Sequence, residues 1–294
     1  MRNAHRHWTS PPLCGAIELE PGENMTYRPY PRLFKGAAEF YLPFRSDYPS
    51  QLVEWVVERC GLSSRSRVLD LGSGPGLLAK LFAPFVAEVV AVDPEPGMLA
   101  VAQKNLGQYR SKVRLVQAAA YELQDNLGRF DIVTIGRAFH WMNREQTLVR
   151  LEELTNPGAT VALFRDPSLK LPQNRWRTAF DDTFAAFATS EAARDGAQSA
   201  GSAIDEEHLL LSAFRRLERM SLVHHRTLTI DHLVGRAYSM AGTSPEDLGD
   251  RRGDFESALR SALLPFSQDG YLLEVTEPQA LLGRRSAEDS IDSA

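Results

Sequence analysis

The sequence predicts an α/β fold with a doubly wound, mostly parallel sheet, and two features carry that prediction. Short runs rich in Val, Ile and Leu recur near residues 68, 89, 113, 130 and 160, and segments with apolar residues at helical spacing separate them. Such alternation favours parallel strands joined by crossover helices. The second feature is a glycine-rich turn after the first run, a kind of turn that opens a ligand crevice at the carboxyl ends of strands. A chain of 294 residues is expected to form one elaborated domain.

The glycine-rich turn alternates three glycines at Gly72, Gly74 and Gly76. An apolar strand with Asp70 inside it ends at the first glycine, and a helix with free N–H groups is expected from about Leu77. Dinucleotide-binding dehydrogenases use G-x-G-x-x-G, whose third glycine packs the helix on the strand. Here Leu77 occupies that position and the spacing is G-x-G-x-G. The turn therefore predicts a nucleoside site and disfavours a nicotinamide or flavin oxidoreductase.

A second predicted strand, Glu88–Asp93, ends in a carboxylate about 20 residues past the glycine turn, the separation typical of a ribose-binding group. The Asp93 carboxylate can accept hydrogen bonds from both the 2′ and 3′ hydroxyls. The alternatives are that Asp93 caps a helix and that Met98, five residues on, belongs to the core.

These segments resemble the class I S-adenosylmethionine (SAM) methyltransferases. The glycine turn with an acidic residue in the preceding strand is similar to motif I of that family, and Asp93–Ala102 is similar to the D-x-x-x-x-M-L-x-x-A run of its small-molecule members. The resemblance covers roughly residues 28–166 well and the remainder weakly. It implies SAM as cofactor, a Rossmann-like seven-stranded sheet of order 3-2-1-4-5-7-6, and Met98 against the adenine.

The fourth strand is followed by Gly136–Met142, which resembles the A-x-H-W segment of the trans-aconitate methyltransferase-like branch and its natural-product relatives. One position departs from the family: the aspartate that receives the adenine amino group is Ala119 here, so backbone or Glu122 would replace it. His140 is the candidate base for a hydroxyl or amine acceptor, because a histidine can titrate near neutrality. The alternative is that it holds the loop or touches the cofactor, with Trp141 as part of the cofactor wall.

The segment before the first strand resembles the family's F-x-x-x-A-x-x-Y-x-x-x-R-x-x-Y-P lead-in, whose helices close over the cofactor. Tyr41 and Arg45 stand one helical turn apart, so they can form a lid that excludes water and offers a cation to a carboxylate or acidic substrate. The alternative is a surface helix with a snorkelling arginine.

Beyond Asp166 the pattern changes to aromatic and alanine-rich helical segments, which in this family build the acceptor pocket. A sixth strand is expected within Phe214–Ile230, including His224 and Arg226, and a closing strand at Tyr271–Leu282. The two cationic side chains would share one strand face and could bind a carboxylate or diphosphate. The alternative is a solvated strand end.

The predicted organisation comprises a disordered leader (1–27), N-terminal lid helices (28–60), a SAM-binding core (61–166), a cap with strand 6 (167–270), the closing strand (271–283) and a tail (284–294). The residues expected to bind the cofactor are Tyr41, Arg45, Asp70, Gly72, Ser73, Gly74, Gly76, Asp93, Pro94, Met98, Ala119, Ala120, Tyr121, Arg137, Ala138 and His140. The residues expected to bind the acceptor are Tyr30, Phe34, Trp141, Trp176, His224 and Arg226.

Composition excludes several classes of protein. A net charge of −5 offers no basic stripe for nucleic acid, and no apolar run approaches the roughly 18 residues of a membrane span. The two cysteines, Cys14 and Cys60, form neither a disulfide framework nor a C-x-x-C metal site, so no metal is expected. These features predict a cytoplasmic protein, and the sequence leaves open whether it is a monomer or a homodimer. Met25 is a second candidate start beside Met1.

The function expected is a SAM-dependent methyltransferase that modifies oxygen, nitrogen or carbon of a small molecule in specialised metabolism. A sulfonium is an activated donor, so alignment and exclusion of water suffice and no catalytic residue is obligatory. Two further alternatives remain open: C-methylation of an isoprenoid diphosphate, and a SAM-binding protein without catalysis, toward which Ala119 points.

Overall fold

A seven-stranded sheet forms the centre of the molecule in the computed structural model, which describes residues 34–189 and 202–285. Its strand order is β3-β2-β1-β4-β5-β9-β6, and β7 and β8 form a separate two-stranded ribbon. The strands are β1 (Arg67–Leu71), β2 (Glu88–Asp93), β3 (Val113–Gln117), β4 (Phe130–Gly136), β5 (Thr155–Arg165), β6 (Arg216–Ser221), β7 (His224–Thr229), β8 (Tyr271–Thr276) and β9 (Gln279–Arg284).

Strands β1 to β5 pair in parallel, and β9 runs antiparallel between β5 and β6. With β9 as the seventh strand of this sheet, the predicted order 3-2-1-4-5-7-6 is confirmed. Because β1 to β5 share one direction, their carboxyl ends lie along one edge of the sheet, where ligands of doubly wound folds bind.

Helices cover both faces of the sheet and build the cap. The helices are α1 (Ala38–Phe44), α2 (Ser50–Arg59), α3 (Leu77–Phe82), α4 (Pro96–Asn105), α5 (Arg144–Glu153), α6 (Trp176–Phe187), α7 (Ser202–Leu210), α8 (Ile230–Tyr238), α9 (Pro245–Leu248) and α10 (Arg252–Leu263). Local sequence explains where two of them begin. Glu95 caps α4, with Pro96 in its first turn, and the Asn143 side chain accepts the Gln146 N–H at the start of α5.

The core has two layers because neighbouring residues of each central strand face opposite sides. In β2, Val89 and Ala91 belong to one buried cluster, and Val90 and Val92 belong to the other. Burial on both sides explains why this strand is a continuous apolar run without polar alternation.

The predicted sixth and closing strands need correction. The sixth strand of the main sheet is Arg216–Ser221, and His224 and Arg226 lie in β7, which pairs only with β8. Leu228 is the one buried residue of β7, so the strand suits a ribbon with one covered face rather than a central position. The predicted closing strand splits into β8 and β9 around Pro278, which lacks the N–H that a continuous ladder needs.

Helix α1, which the sequence predicts as part of a lid, packs against the cap. The Phe40 ring lies 5.3 Å from the Tyr238 ring, and the Phe44 ring packs against the backbone of Gly235 in α8. A Cβ atom on Gly235 would lie 2.4 Å from Phe44 Cγ, so only glycine allows this approach. No helix among the described residues is long and apolar enough to cross a membrane.

The leader 1–27, Tyr30 and the tail beyond residue 285 lie outside the described residues.

Candidate functional site

The glycine turn folds tightly over the ends of β1 and β2. Gly72 and Gly76 have φ angles of 67° and 81°, a left-handed conformation that favours glycine. The Gly72 N–H donates to Val92 O over 2.8 Å. Side chains would also clash here, because a Cβ on Gly72 would lie 2.6 Å from Ala138 Cβ and one on Gly76 would lie 2.6 Å from Leu106 Cδ1. Glycine is therefore needed at both positions, because Ala138 approaches Gly72 and Leu106 approaches Gly76.

Asp70 anchors the turn from beneath. Its Oδ2 accepts the Ala79 N–H over 3.0 Å, its Oδ1 accepts the Thr134 hydroxyl over 2.9 Å, and its exposed fraction is 1%. Ala79 is the third residue of α3, so the carboxyl group satisfies an N–H that the helix itself leaves unpaired. Burial raises the pKa of Asp70 to about 7, although both hydrogen bonds oppose the rise. Asp70 and Ser73, predicted as cofactor contacts, border a small recess behind the turn.

Asp93 holds the turn from the end of β2. Its Oδ2 accepts the Gly74 N–H over 2.8 Å, and its Oδ1 accepts the Glu95 N–H over 2.9 Å. Each carboxylate oxygen has two acceptor sites, so one on each oxygen remains after these bonds. Burial raises the pKa of Asp93, and the two N–H donors counteract it.

A cavity of about 430 Å³ opens at this edge of the sheet and collects most of the predicted cofactor residues. Its walls include Tyr41, Gly72, Gly74, Asp93, Pro94, Met98, Ala119, Ala120, Tyr121, Arg137 and Ala138. Gly76 instead packs against Leu106, outside this wall.

The far end of this first cavity carries a carboxylate although position 119 is alanine. The Ala119 N–H donates to Glu122 Oε2 over 2.7 Å, and both residues line the cavity. Glu122 stands three residues beyond the expected position, at the end of the short turn Ala120–Glu122. An acceptor for an amino group is thus present near Ala119, with Glu122 as the side chain that supplies it.

A second cavity of about 580 Å³ adjoins the first and extends beneath the cap. The two cavities share Phe34, Tyr41, Arg137, Ala138 and Trp141 as walls. Arg45 and His140, which were predicted as cofactor contacts, line the second cavity but not the first. Its remaining walls combine apolar and charged side chains, including Phe139, Phe164, Phe184, Met240, Arg165, Asp166, Arg177, Asp181, Asp182 and Asp205.

Two arginines flank the Tyr41 ring where the cavities meet. The Cζ atoms of Arg45 and Arg137 lie 5.3 and 5.9 Å from its centroid. Arg45 Nε donates to Ser239 Oγ over 2.8 Å, which ties the end of α1 to the cap. Burial lowers the pKa of Arg45 to about 10, and the nearby charge of Arg137 contributes to the lowering. Arg137 itself has a φ of 54°, a strained conformation for a residue with a side chain.

The pKa of His140 lies well below the near-neutral value that is usual for a histidine. Burial lowers its pKa to about 4, and the charges of Arg144, Arg165 and Arg45 lower it further. Its ring centroid lies 4.6 Å from that of Trp141, on the wall that separates the two cavities. The imidazole is therefore neutral at physiological pH and a weak base.

Three predicted acceptor contacts lie away from both cavities. Trp176 is 2% exposed and donates from Nε1 to Leu273 O over 3.0 Å, inside the apolar core of the cap. His224 is exposed on the β7 ribbon, and Arg226 is paired with Glu274. Trp176 is thus a core residue of the cap, and the cationic pair on β7 does not line either cavity.

The charged wall of the second cavity was missed by sequence reasoning. Asp166 directly follows β5, so the strand-end rule that located Asp93 could have found it. Arg177, Asp181 and Asp205 come from cap helices that carry no motif.

A glycine turn at the first strand, a carboxylate at the end of the second and an adjoining second cavity form a site of the kind found in class I SAM-dependent methyltransferase domains. The methyltransferase domain family matches residues 68–158 of the chain. An uncharacterised methyltransferase of Schizosaccharomyces pombe is 32% identical over 133 residues, which is 45% of this chain and 51% of that protein. A ubiquinone biosynthesis O-methyltransferase of Azorhizobium caulinodans is 38% identical over 93 residues, 31% of this chain and 37% of that protein.

The fold extends this similarity beyond the aligned sequence. A SAM-dependent methyltransferase from Thiobacillus denitrificans, solved with S-adenosyl-L-homocysteine, superimposes with a TM-score of 0.51 at 16% identity, over 87% of this chain and 99% of the other. In sequence, the chain spans about half the length of the first curated relatives it matches. The trans-aconitate methyltransferase-like branch stays a prediction.

Proposed function

We propose that the protein is a SAM-dependent methyltransferase that acts on a small molecule. The observation that carries the proposal is the shared wall between the two cavities. A nucleoside bound against Asp93 in the first cavity would direct its distal end toward Tyr41, Arg137 and Trp141, and the second cavity begins at those residues.

The residues of the first cavity fit SAM. Asp93 retains one acceptor site on each oxygen for the two ribose hydroxyls, and Glu122 offers a carboxylate to the adenine amino group, with Met98 against the ring. Arg137 lines this cavity and would offer a cation to the carboxylate of the amino-acid portion. When bound, SAM supplies an activated methyl group, and the chain's task is to align the acceptor and exclude water.

The second cavity suits an acceptor with an apolar or aromatic body and a few polar groups. Phe34, Trp141 and Phe184 provide ring surfaces, and charged side chains stand between them. Among methylation of oxygen, nitrogen and carbon, O-methylation is favoured, in line with the activity for which the Azorhizobium relative is named. An isoprenoid diphosphate is less well supported, because His224 and Arg226 do not line this cavity. The role in specialised metabolism and the cytoplasmic location rest on the sequence alone.

The test begins with calorimetric titration of the full chain with S-adenosylhomocysteine and, separately, with NAD. We expect S-adenosylhomocysteine to bind with a micromolar dissociation constant and NAD not to bind. Turnover is then measured as S-adenosylhomocysteine formed from SAM with pools of phenols, amines and carboxylic acids. Binding of NAD in place of the product would overturn the proposal, and product binding without turnover in any pool would favour a SAM-binding protein without catalysis.

A further inference from the structure

Asp166 occupies a position in the cleft that the cofactor site does not use. It directly follows β5, whose Phe164 pairs with Gly136 of β4, and it lines the second cavity one strand away from Arg137. Its side chain is 8% exposed, so its polar atoms need partners within the protein or in a ligand.

One oxygen of Asp166 has such a partner and the other has none. Oδ2 lies 3.3 Å from Arg226 Nη2, whereas Oδ1 is enclosed without a hydrogen-bond partner among the described residues. A buried carboxylate oxygen without a donor is costly and rare in folded proteins, and such groups concentrate at functional sites. The arrangement points to a donor brought by the acceptor.

A ladder of ion pairs fixes the Asp166 carboxylate. Arg226 Nε donates to Glu274 Oε2 over 2.6 Å, and Arg236 Nη1 donates to Glu274 Oε1 over 2.7 Å. Two guanidinium groups and two carboxylates thus alternate from α8 to the cleft, which orients the Asp166 side chain. Arg226 is a positioning residue in this arrangement and does not touch the acceptor.

His140 lines the same cavity as a neutral imidazole, because burial lowers its pKa to about 4. The charged and titratable groups that line this cavity beside Asp166 are Tyr41, Arg45, Arg137, His140, Arg165, Arg177, Asp181, Asp182 and Asp205. Arg165 is paired with Asp205, and Arg177 is paired with Asp181.

We propose that Asp166 is the catalytic carboxylate of the acceptor site and that the acceptor is a protic nucleophile, a hydroxylated aromatic molecule above all. Its O–H donates to the Asp166 carboxylate. As the acceptor oxygen bonds to the methyl carbon, the carbon–sulfur bond breaks with its electron pair going to sulfur, and the proton passes to Asp166. The sulfonium and the carboxylate both become neutral, so charge balances, and the carboxyl proton is then lost to solvent.

This inference rests on the proposed function, and the probe that tests it is 4-nitrophenol, whose ionised form absorbs at a longer wavelength than the neutral form. The probe and 4-nitroanisole, which lacks the donor, are titrated into the S-adenosylhomocysteine complex of the wild type, Asp166→Asn and Arg226→Gln. Asp231→Asn is the control, because Asp231 is a 77% exposed surface carboxylate paired with Arg260.

The wild-type complex is expected to bind the phenol about tenfold more tightly than the anisole, the value of one hydrogen bond to a charged group. The pKa of the bound phenol should exceed that of the free phenol, since an adjacent carboxylate disfavours the phenolate. In Asp166→Asn the preference for the phenol over the anisole should fall to about twofold. The pKa of the bound phenol should fall to the value of the free phenol or below it, because the cations Arg45 and Arg137 remain. Arg226→Gln should reduce both effects partly, and the control should change neither.

Equal phenol preference and equal bound pKa in the wild type and Asp166→Asn would overturn the inference, as would a wild-type complex that prefers the anisole or binds neither probe. Loss of S-adenosylhomocysteine binding by the wild type would instead overturn the proposed function, so the two failures are distinguishable. Retained S-adenosylhomocysteine binding in each variant shows that it has folded.

Discussion

Removal of the Asp93 carboxylate should reveal whether it binds the ribose. Each of its oxygens already accepts one backbone N–H, from Gly74 and Glu95, and has one acceptor site left. A hydrogen bond to a charged group contributes about 1.5–3 kcal/mol. Asp93→Asn would lose one acceptor and place an amide NH₂ against a backbone donor, so its affinity for S-adenosylhomocysteine should fall by about 2–4 kcal/mol, or roughly 30- to 1000-fold.

The assay is a calorimetric cycle of two proteins and two ligands, the wild type and Asp93→Asn with S-adenosylhomocysteine and its 2′-deoxy analogue. If Asp93 accepts the 2′ hydroxyl, the analogue should cost the wild type about 1.5–3 kcal/mol and the variant much less. Additive losses, within about 0.5 kcal/mol, would refute the ribose contact even if the variant binds weakly. Melting temperatures without ligand separate loss of binding from a loosened turn. Binding to the wild type should also weaken as the pH falls through the raised pKa of Asp93, because only the carboxylate accepts both hydroxyls.

Three further changes test other parts of the site and its support. Glu122→Ala should weaken S-adenosylhomocysteine binding by about 1.5 kcal/mol and leave S-inosylhomocysteine binding unchanged, because only adenine carries the amino donor; equal losses for both ligands would argue against this contact. Burial raises the pKa of Asp70 from 3.8 to about 7, so the free energy of unfolding should decrease as pH rises from about 4 to 7, by up to about 1.4 kcal/mol per unit. Asp70→Asn should remove that slope in denaturant titrations, and an unchanged slope would contradict the assignment. Gly235→Ala should destabilise the protein by about 1–3 kcal/mol and weaken cofactor binding, because its Cβ would strike Phe44 and displace the lid, whereas Gly253→Ala, with no atom within 4 Å of its added Cβ, should be neutral or stabilising.

The sheet and its cofactor edge were predictable because their causes are local in the sequence. A buried strand must be apolar, its turn needs glycines where φ is positive, and the next strand must end at the same edge. Gly72 and Asp93 satisfy these conditions within 22 residues of chain. Asp70 was predicted as a cofactor contact, and the sequence did not indicate that its carboxyl group accepts the N–H of a helix residue nine positions later.

The acceptor side could not be predicted in the same way, because its geometry depends on contacts between distant segments. Arg226 is a clear example: the sequence marks it as a free cation beside two histidines, yet Glu274 lies 48 residues away and removes it from the cleft. The same pairing turns Arg226 toward Asp166, a residue that the sequence presents only as the end of a strand. The cation predicted to bind an anionic acceptor thus holds a carboxylate of the protein itself. The acceptor expected on this basis changes from an anion to a hydrogen-bond donor, which is the difference that the 4-nitrophenol titration measures.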